Sequence, residues 1–496
     1  MCVAVVAALT VLRAIFAVTI ELRVDEAYYW TWSRESVISF LDHPPLIAWF
    51  IRLGTALFGD TNFGVRFPGL LAMLVMQLLL ADIVWQTLRD WRYVIAVVLM
   101  TEAAPDYGLL MAKLAPDTAL IPCEMAMIWS LVRLAQSGDQ RWWLPAGLFG
   151  GLALTAKYTA VLLAPAILAF VLVPAWRKRQ LASPYLWIGA ALAVLAFSPV
   201  LYWNAIHGWA SFKFQFDRPP QLGGWSVRYL GEFIGQQFAL VGVLLFPMAV
   251  GASVMLAMRG YRNRDSIAIL LSTGVIVPLL FCVERSLSAR VGDSWPLFVW
   301  PLAFACAAIN LQQWRQEAPQ SRWAQMGPGF TAFAIASGIA FVAAAHFYYI
   351  AGHANYLGKN DPIGKEAGFG AVVTAANHKR EEVGARWFVV TDYRMYSMLR
   401  WHLRDAVPVV QLSERSRYID FRAPVLDGPV GLDVTAHDSP KALAWKHTNA
   451  TLEGAGYADL TWRGASYDTY LFQKVTGWKP VFSPPQGDPL YEARPN

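Results

Sequence analysis

A series of apolar runs constrains the fold of this chain more than any other feature. They fall at about 3–20, 67–88, 93–112, 116–135, 142–156, 158–174, 184–204, 232–257, 265–282, 296–311 and 327–349. A helix needs roughly 20 predominantly apolar residues to cross the hydrocarbon layer, so the runs predict about 11 transmembrane helices. Inside a bilayer no water satisfies backbone N–H and C=O groups, which is why such runs must be helical. Charged residues make up only 15% of the 496 positions, against roughly 25% in a soluble domain. The expected fold class is therefore an α-helical polytopic membrane protein. Run 142–156 is the weakest member of the series, being short and containing Pro145, Gly147, Gly150 and Gly151. Its loss would invert everything that follows.

The net charge is +6 and the pI is near 9.0, but the bases lie mostly in short connections, where topology accounts for them and nucleic acid is not implied. Arg89 and Arg92, Arg133 and Arg141, residues 177–179, 259–264 and 315–322 fall on one side if the count of spans is right. Short basic loops mark the cytoplasm. The opposite connections also carry bases, among them Arg23, Arg66, Lys113, Lys157, Arg228 and Arg290. That outer excess needs a second explanation. Cys2, Cys123, Cys282 and Cys306 lie in or beside apolar runs and show neither metal-ligand spacing nor a disulfide framework. The first run lacks a basic start and a cleavage site, so it reads as a retained helix.

Residues 1–349 form the expected transmembrane domain, with extracytoplasmic loops at 21–66 and 205–231. In the first loop the apolar spacing suggests interfacial helices, interrupted at Pro44-Pro45. Residues 350–496 have a soluble composition and predict a small extracytoplasmic α/β domain. RWFVVTD, PVVQL, PVGLDV and TYLFQKV read as strands, and DYRMYSMLRWHL as a helix.

Candidate chemistry gathers in the outer connections. Asp25 and Glu26 follow the first run, and in a helix Asp25, Tyr28, Tyr29 and Trp32 would share a face while Glu26 points elsewhere with Trp30. An acidic helix N-terminus is the plain alternative. Asp42-His43-Pro44-Pro45 is either a second acidic site or a turn, and one His beside one Asp is weak evidence for a metal. Lys113 and Asp117 bracket a tight connection, where ionisable groups are functional by default unless they simply pair with each other. Lys157-Tyr158 occupies the matching position in the next outer hairpin, and Arg66 lies at the mouth of the second span. Snorkelling to the interface would explain both bases without function.

The ordered series DEAYYWTW, FLDHPPL, FGVRFPGLL, KLAPDTAL, LTAKY and VGDSWPLFVWP, over roughly residues 10 to 310, resembles the lipid-linked sugar transferases of the glycosyltransferase C superfamily. The resemblance is to the branch containing bacterial aminoarabinose and galacturonic acid lipid A transferases and protein O-mannosyltransferases. It implies a sugar carried on a polyprenyl phosphate and passed, with inversion, to an envelope acceptor at the periplasmic face of the bacterial inner membrane. That acceptor would be lipid A, another glycolipid, a polysaccharide or a protein hydroxyl. Membrane lipids are the remaining partners.

On the matching positions, the resemblance assigns Asp25 to orienting or deprotonating the acceptor hydroxyl. Glu26 bonds to sugar hydroxyls or holds the loop. Asp42 takes a second acidic position, where relatives often carry Glu followed by Lys; here His43 replaces the Lys. Asp117 matches a Pro-Asp that binds sugar or acceptor. Arg66 and Lys157 are the leading phosphate ligands, followed by Arg290 and then, on location alone, Lys113 and Arg228. Tyr28 and Tyr158 complete the expected substrate-binding set. No cofactor is required, since Arg and Lys can neutralise the phosphate leaving group; a divalent ion at Asp25, Asp42 or His43 is left open. A transporter or flippase of lipid-linked sugar is the alternative class, but the spans read as apolar and show no repeated halves.

Overall fold

The computed structural model describes residues 2–109, 113–216, 225–351, 356–361, 363–364 and 366–478. Within these, each apolar run is helical over most of its length. The first run forms α1 (Cys2–Thr19), and the connection after it folds as α2 (Val24–Ser33) and α3 (Leu46–Phe58). Pro45 ends the break between those two, as the Pro-Pro pair predicts. Next come α4 (Asn62–Leu88), α5 (Trp91–Ala103), α6 (Pro105–Gly108), α7 (Pro116–Ser137), α8 (Trp143–Ala156), α9 (Ala164–Val171), α10 (Arg177–Ala182) and α11 (Pro184–Ile206). The bundle continues through α12 (Ala210–Phe216), α13 (Arg228–Val241), α14 (Leu245–Asn263), α15 (Ser266–Ser286), α16 (Trp300–Glu317) and α17 (Arg322–Ala351).

This is a multi-pass membrane protein. Among the described residues, 6 helices are long and apolar enough to cross a membrane: α1, α4, α7, α11, α15 and α17. The count becomes 7 if α13 and α14, bent by 104° at their junction, form one broken span. The eleven-helix expectation is not met on this criterion, because several runs are short or interrupted. Run 93–112 breaks at Ala104, whose extended backbone (φ −82°, ψ 120°) is the conformation a following proline favours. Run 158–174 begins as a 3₁₀ turn and leaves only 8 residues for α9.

The least secure run of the sequence is a well-packed helix. A Cβ added at Gly147 of α8 would lie 1.9 Å from the Gly189 carbonyl oxygen of α11, and one at Gly151 would lie 2.3 Å from that of Ala193. Small residues therefore bring the two backbones into contact. The spans are less purely apolar than they read. Arg13 of α1 is buried and donates to Glu102 of α5 at 2.6 and 3.1 Å, and Gln77 of α4 donates to the same carboxylate at 2.8 Å. The charges face one another inside the bundle, away from lipid.

The soluble end is a five-stranded sheet in the order β2-β1-β3-β5-β4, built from β1 (Trp387–Val390), β2 (Val409–Gln411), β3 (Gly431–Ala436), β4 (Thr451–Trp462) and β5 (Ala465–Thr476). β1 pairs in parallel with β2 and β3, and β5 runs antiparallel to β3 and β4. Two helices cover the sheet, α18 (Phe369–Glu382) and α19 (Tyr393–Leu403). Four strands and α19 fall where the sequence placed them. β4 was missed because Gly454 and Gly456 interrupt its alternation, at a bulge in its pairing with β5.

α19 packs on α2, and one continuous core runs from Phe388, Met398 and Leu399 of the soluble domain to Val24, Tyr28 and Trp30 of the first loop. The Trp30 and Trp401 rings meet edge to face, 5.2 Å apart. The soluble domain thus forms the roof over the two acids that follow α1.

Candidate active site

Glu26 lies in the first turn of α2, and its Oε2 accepts the amide of Arg23 at 2.9 Å, one of the donors a helix start leaves over. Arg66, in the first turns of α4, grips the same carboxylate with Nε to Oε1 and Nη2 to Oε2, both 2.7 Å. The Leu114 amide, from the connection before α7, adds a bond of 3.0 Å to Oε1. Arg66 also donates to the carbonyls of Ala17, Ile20 and Glu21, so every N–H of its guanidinium is engaged. Burial opposes ionisation of Glu26. The Arg66 charge, its hydrogen bonds and the two amides outweigh burial and hold the carboxyl below its usual range. Arg66 was expected to bind phosphate, and Glu26 either to bond sugar hydroxyls or to hold the loop; the structure makes them a clasp joining three chain segments, and Arg66 has no donor left for a phosphate.

Asp25 turns the other way, as the helical spacing predicts. It is half-buried, and among the described residues it receives a single hydrogen bond, from the Tyr393 hydroxyl to Oδ1 at 3.2 Å. Its second oxygen takes no hydrogen bond among the described residues. Burial and the negative charge of Glu366 push its pKa up, while Lys113, Arg23 and the Tyr393 hydroxyl act in the opposite sense. Glu366 is itself ion-paired with Arg23. A carboxylate displaced towards neutral pH, with such an oxygen at a half-buried position, has the properties of a general base.

Asp42 is the second acid of this face. Its Oδ2 accepts Tyr28 Oη and Arg417 Nη1, both at 2.6 Å, and Gln215 of α12 holds its backbone carbonyl at 2.7 Å. Arg417 comes from the soluble domain and lies 5.1 Å from the centre of the Tyr393 ring and 6.0 Å from that of Tyr28, within cation–π range. The Tyr28 and Tyr393 rings are in turn 5.1 Å apart. Asp25 and Asp42 therefore flank one aromatic pair. The ring of His43 sits 6.3 Å from that of Tyr29.

Asp117, at the start of α7, is paired through both oxygens to Lys157 Nζ, at 2.9 and 2.7 Å. The salt bridge considered between Lys113 and Asp117 is thus made across to the next hairpin. Lys113 is half-buried and its ammonium makes no hydrogen bond or ion pair among the described residues, yet its charge acts on both Asp25 and Glu366. On sequence it ranked last, together with Arg228. Arg290 is exposed, pairs with Glu232 at 2.9 Å and lies over the Tyr229 ring. Tyr158 packs edge-on to Phe212 of α12 at 5.5 Å.

Sequence reasoning missed Tyr393 and Arg417, because nothing in the tail's composition says which of its residues return to the membrane loops. It also missed Glu124, two turns beyond Asp117 on α7, which is fully buried with neither oxygen bonded among the described residues. No three His, Cys, Asp or Glu side chains among those residues come together to hold a metal ion.

The fold is shared with a bacterial membrane protein of known structure, and part of the chain matches a sugar-transferase family model. Residues 42–203 match the family model described as dolichyl-phosphate-mannose-protein mannosyltransferase. The chain is 27% identical over 283 residues to a lipid A galacturonosyltransferase, RgtD, of Rhizobium johnstonii. That match covers 55% of this chain and 57% of the relative. The crystal structure of ArnT from Cupriavidus metallidurans bound to undecaprenyl phosphate aligns with 95% of this chain and 97% of that one, at a TM-score of 0.64 and 14% identity. The apo form of the same protein gives a TM-score of 0.62 over the same shares of each chain, also at 14% identity.

Proposed function

We propose that this chain is an integral-membrane glycosyltransferase that moves a sugar from a polyprenyl-phosphate donor to an envelope acceptor. The observation that carries the reading is the environment of Asp25, an acid with raised pKa and an oxygen that takes no hydrogen bond among the described residues. It sits among locked ion pairs, at the end of the bundle roofed by the soluble domain. Asp25 takes the proton from the acceptor hydroxyl as that oxygen forms a bond to the anomeric carbon. The bond from that carbon to the phosphate oxygen breaks on the opposite face, with inversion, and its electron pair leaves on polyprenyl phosphate. Lys113 neutralises the departing anion. Arg417 and Tyr28 fix Asp42 for sugar hydroxyls, and Lys157 does the same for Asp117.

The ArnT neighbour was crystallised with undecaprenyl phosphate, and the Rhizobium relative is described as acting on lipid A. These support a polyprenyl donor and a glycolipid acceptor, with lipid A first. The short basic loops support an eleven-span topology in the bacterial inner membrane, with the site and the soluble domain in the periplasm. The reaction requires no metal, because Arg and Lys can neutralise the phosphate leaving group. The transporter alternative is not favoured: the Arg13–Glu102 charges satisfy each other inside the bundle.

The test is a reaction of the purified chain with lipid A and polyprenyl phosphates carrying galacturonic acid or aminoarabinose, followed by mass spectrometry. The reading expects a glycosylated lipid A and free polyprenyl phosphate. Movement of the donor lipid across vesicles with no covalent product would replace it with the transporter.

A further inference from the structure

The soluble domain contains a second polar site. At the carboxyl ends of β1 and β3 lies a cleft of about 270 Å³, lined by Asp392, Arg394, Asp438, Lys441, Asp468 and Tyr470 among others. The topology puts a crevice there. β1 lies between its two parallel partners; the chain leaving β1 passes through α19 to β2 on one side, while the chain leaving β3 goes to β4 and β5 on the other. Parallel strands bind ligands at such a parting of connections.

The lining selects the ligand. Tyr470 is fully buried, and its hydroxyl has no hydrogen-bond partner among the described residues, an arrangement that disfavours the empty site because a buried unpaired hydroxyl is costly. Asp392 is 8% exposed and uses Oδ1 to accept the Met395 amide at 2.9 Å. Lys441 is already neutralised by Glu414, at 2.8 Å. Three carboxylates against Arg394, with Lys441 already paired, disfavour an anion, and the carboxylates do not converge on a cation site among the described residues. What remains is an uncharged ligand rich in hydroxyls, with carboxylates to accept its O–H groups and Tyr470 to donate. The volume falls below the roughly 300–1,000 Å³ of ordinary small-ligand pockets, so it suits about one sugar ring.

The cleft is wired to the site below. Tyr393, which bonds to Asp25, stands between Asp392 and Arg394 in the chain. Glu414 accepts both Lys441 Nζ and the Tyr393 amide, the latter at 3.1 Å. We infer that the cleft is a saccharide subsite for a neutral sugar unit of the acceptor, remote from the hydroxyl that reacts. The saccharide chemistry stands on the cleft alone; its assignment to the acceptor rests on the transferase reading.

The full chain in detergent, titrated with galactose and with N-acetylglucosamine and followed by saturation-transfer NMR, tests the inference. The expected result is saturable binding that persists in Asp25→Asn. Asp468→Asn and Tyr470→Phe should each weaken it about tenfold, the size of one lost hydrogen bond of about 1.4 kcal/mol. No saturable binding of either sugar, binding indifferent to both substitutions, or displacement by inorganic phosphate would overturn it. A chain that binds sugar but never transfers one would sink the transferase reading and leave the subsite standing. Transfer without sugar binding would do the reverse.

Discussion

The Tyr393 hydroxyl donates to Asp25 Oδ1 across 3.2 Å, so a residue of the soluble domain tunes the acid that follows the first membrane helix. Burial and Glu366 raise the pKa of Asp25, and this hydrogen bond opposes them. A base must be ionised to act. Transfer should therefore fall as pH drops through a value above the ordinary 3.8 of an aspartate. Tyr393→Phe removes a bond that favours the carboxylate, and should move this acid limb to higher pH by up to about one unit, since one unit is about 1.4 kcal/mol. Profiles of kcat/KM against pH for the two proteins make the comparison; a limb that stays put or moves down contradicts the assignment.

The Glu26–Arg66 clasp is a matter of stability. Removing one partner of a buried pair typically costs about 3–5 kcal/mol, and Glu26→Gln should lose an amount of that order at pH 7. The folded pKa of Glu26 is lowered, so its contribution is fully present above the unfolded carboxylate value of about 4.3. It disappears as pH falls through the still lower folded value. Unfolding in detergent should show a constant gap between wild type and Glu26→Gln above about pH 5 that narrows only in stronger acid.

Lys113 and Arg66 separate ligand binding from architecture. Lys113→Met should lower turnover by about 10²-fold, as for loss of one charged group at a developing anion, while leaving the melting temperature in place. Arg66→Met should lower the melting temperature, because it abandons Glu26 in the interior. Activity and thermal unfolding measured on the same preparations decide this; equal melting losses in both variants would count against the assignment of Lys113.

The proposed chemistry needs no metal. Transfer by purified protein should be unchanged by excess chelator, and abolition of activity, restored by a divalent cation, would require a revised site.

The helices were legible because a bilayer permits few alternatives to them, and the acidic pair was legible because helical spacing alone separates Asp25 from Glu26. Three things were hidden for physical reasons. The Arg13–Glu102 pair lies in runs whose average is apolar, so hydropathy conceals charges that cancel inside the bundle. Arg66 sits where a phosphate ligand belongs by motif, but which acceptor a guanidinium finds depends on how α2, α4 and the turn before α7 pack. Likewise Arg417 reaches Asp42 across 375 residues of chain, a distance over which pattern carries no information.

The most direct test is transfer by purified Asp25→Asn in detergent, with a polyprenyl-phosphate sugar and lipid A, scored by mass spectrometry beside a thermal unfolding curve. The account predicts a folded protein with wild-type melting and no measurable glycosylated product. Transfer at the wild-type rate by the folded variant would contradict it.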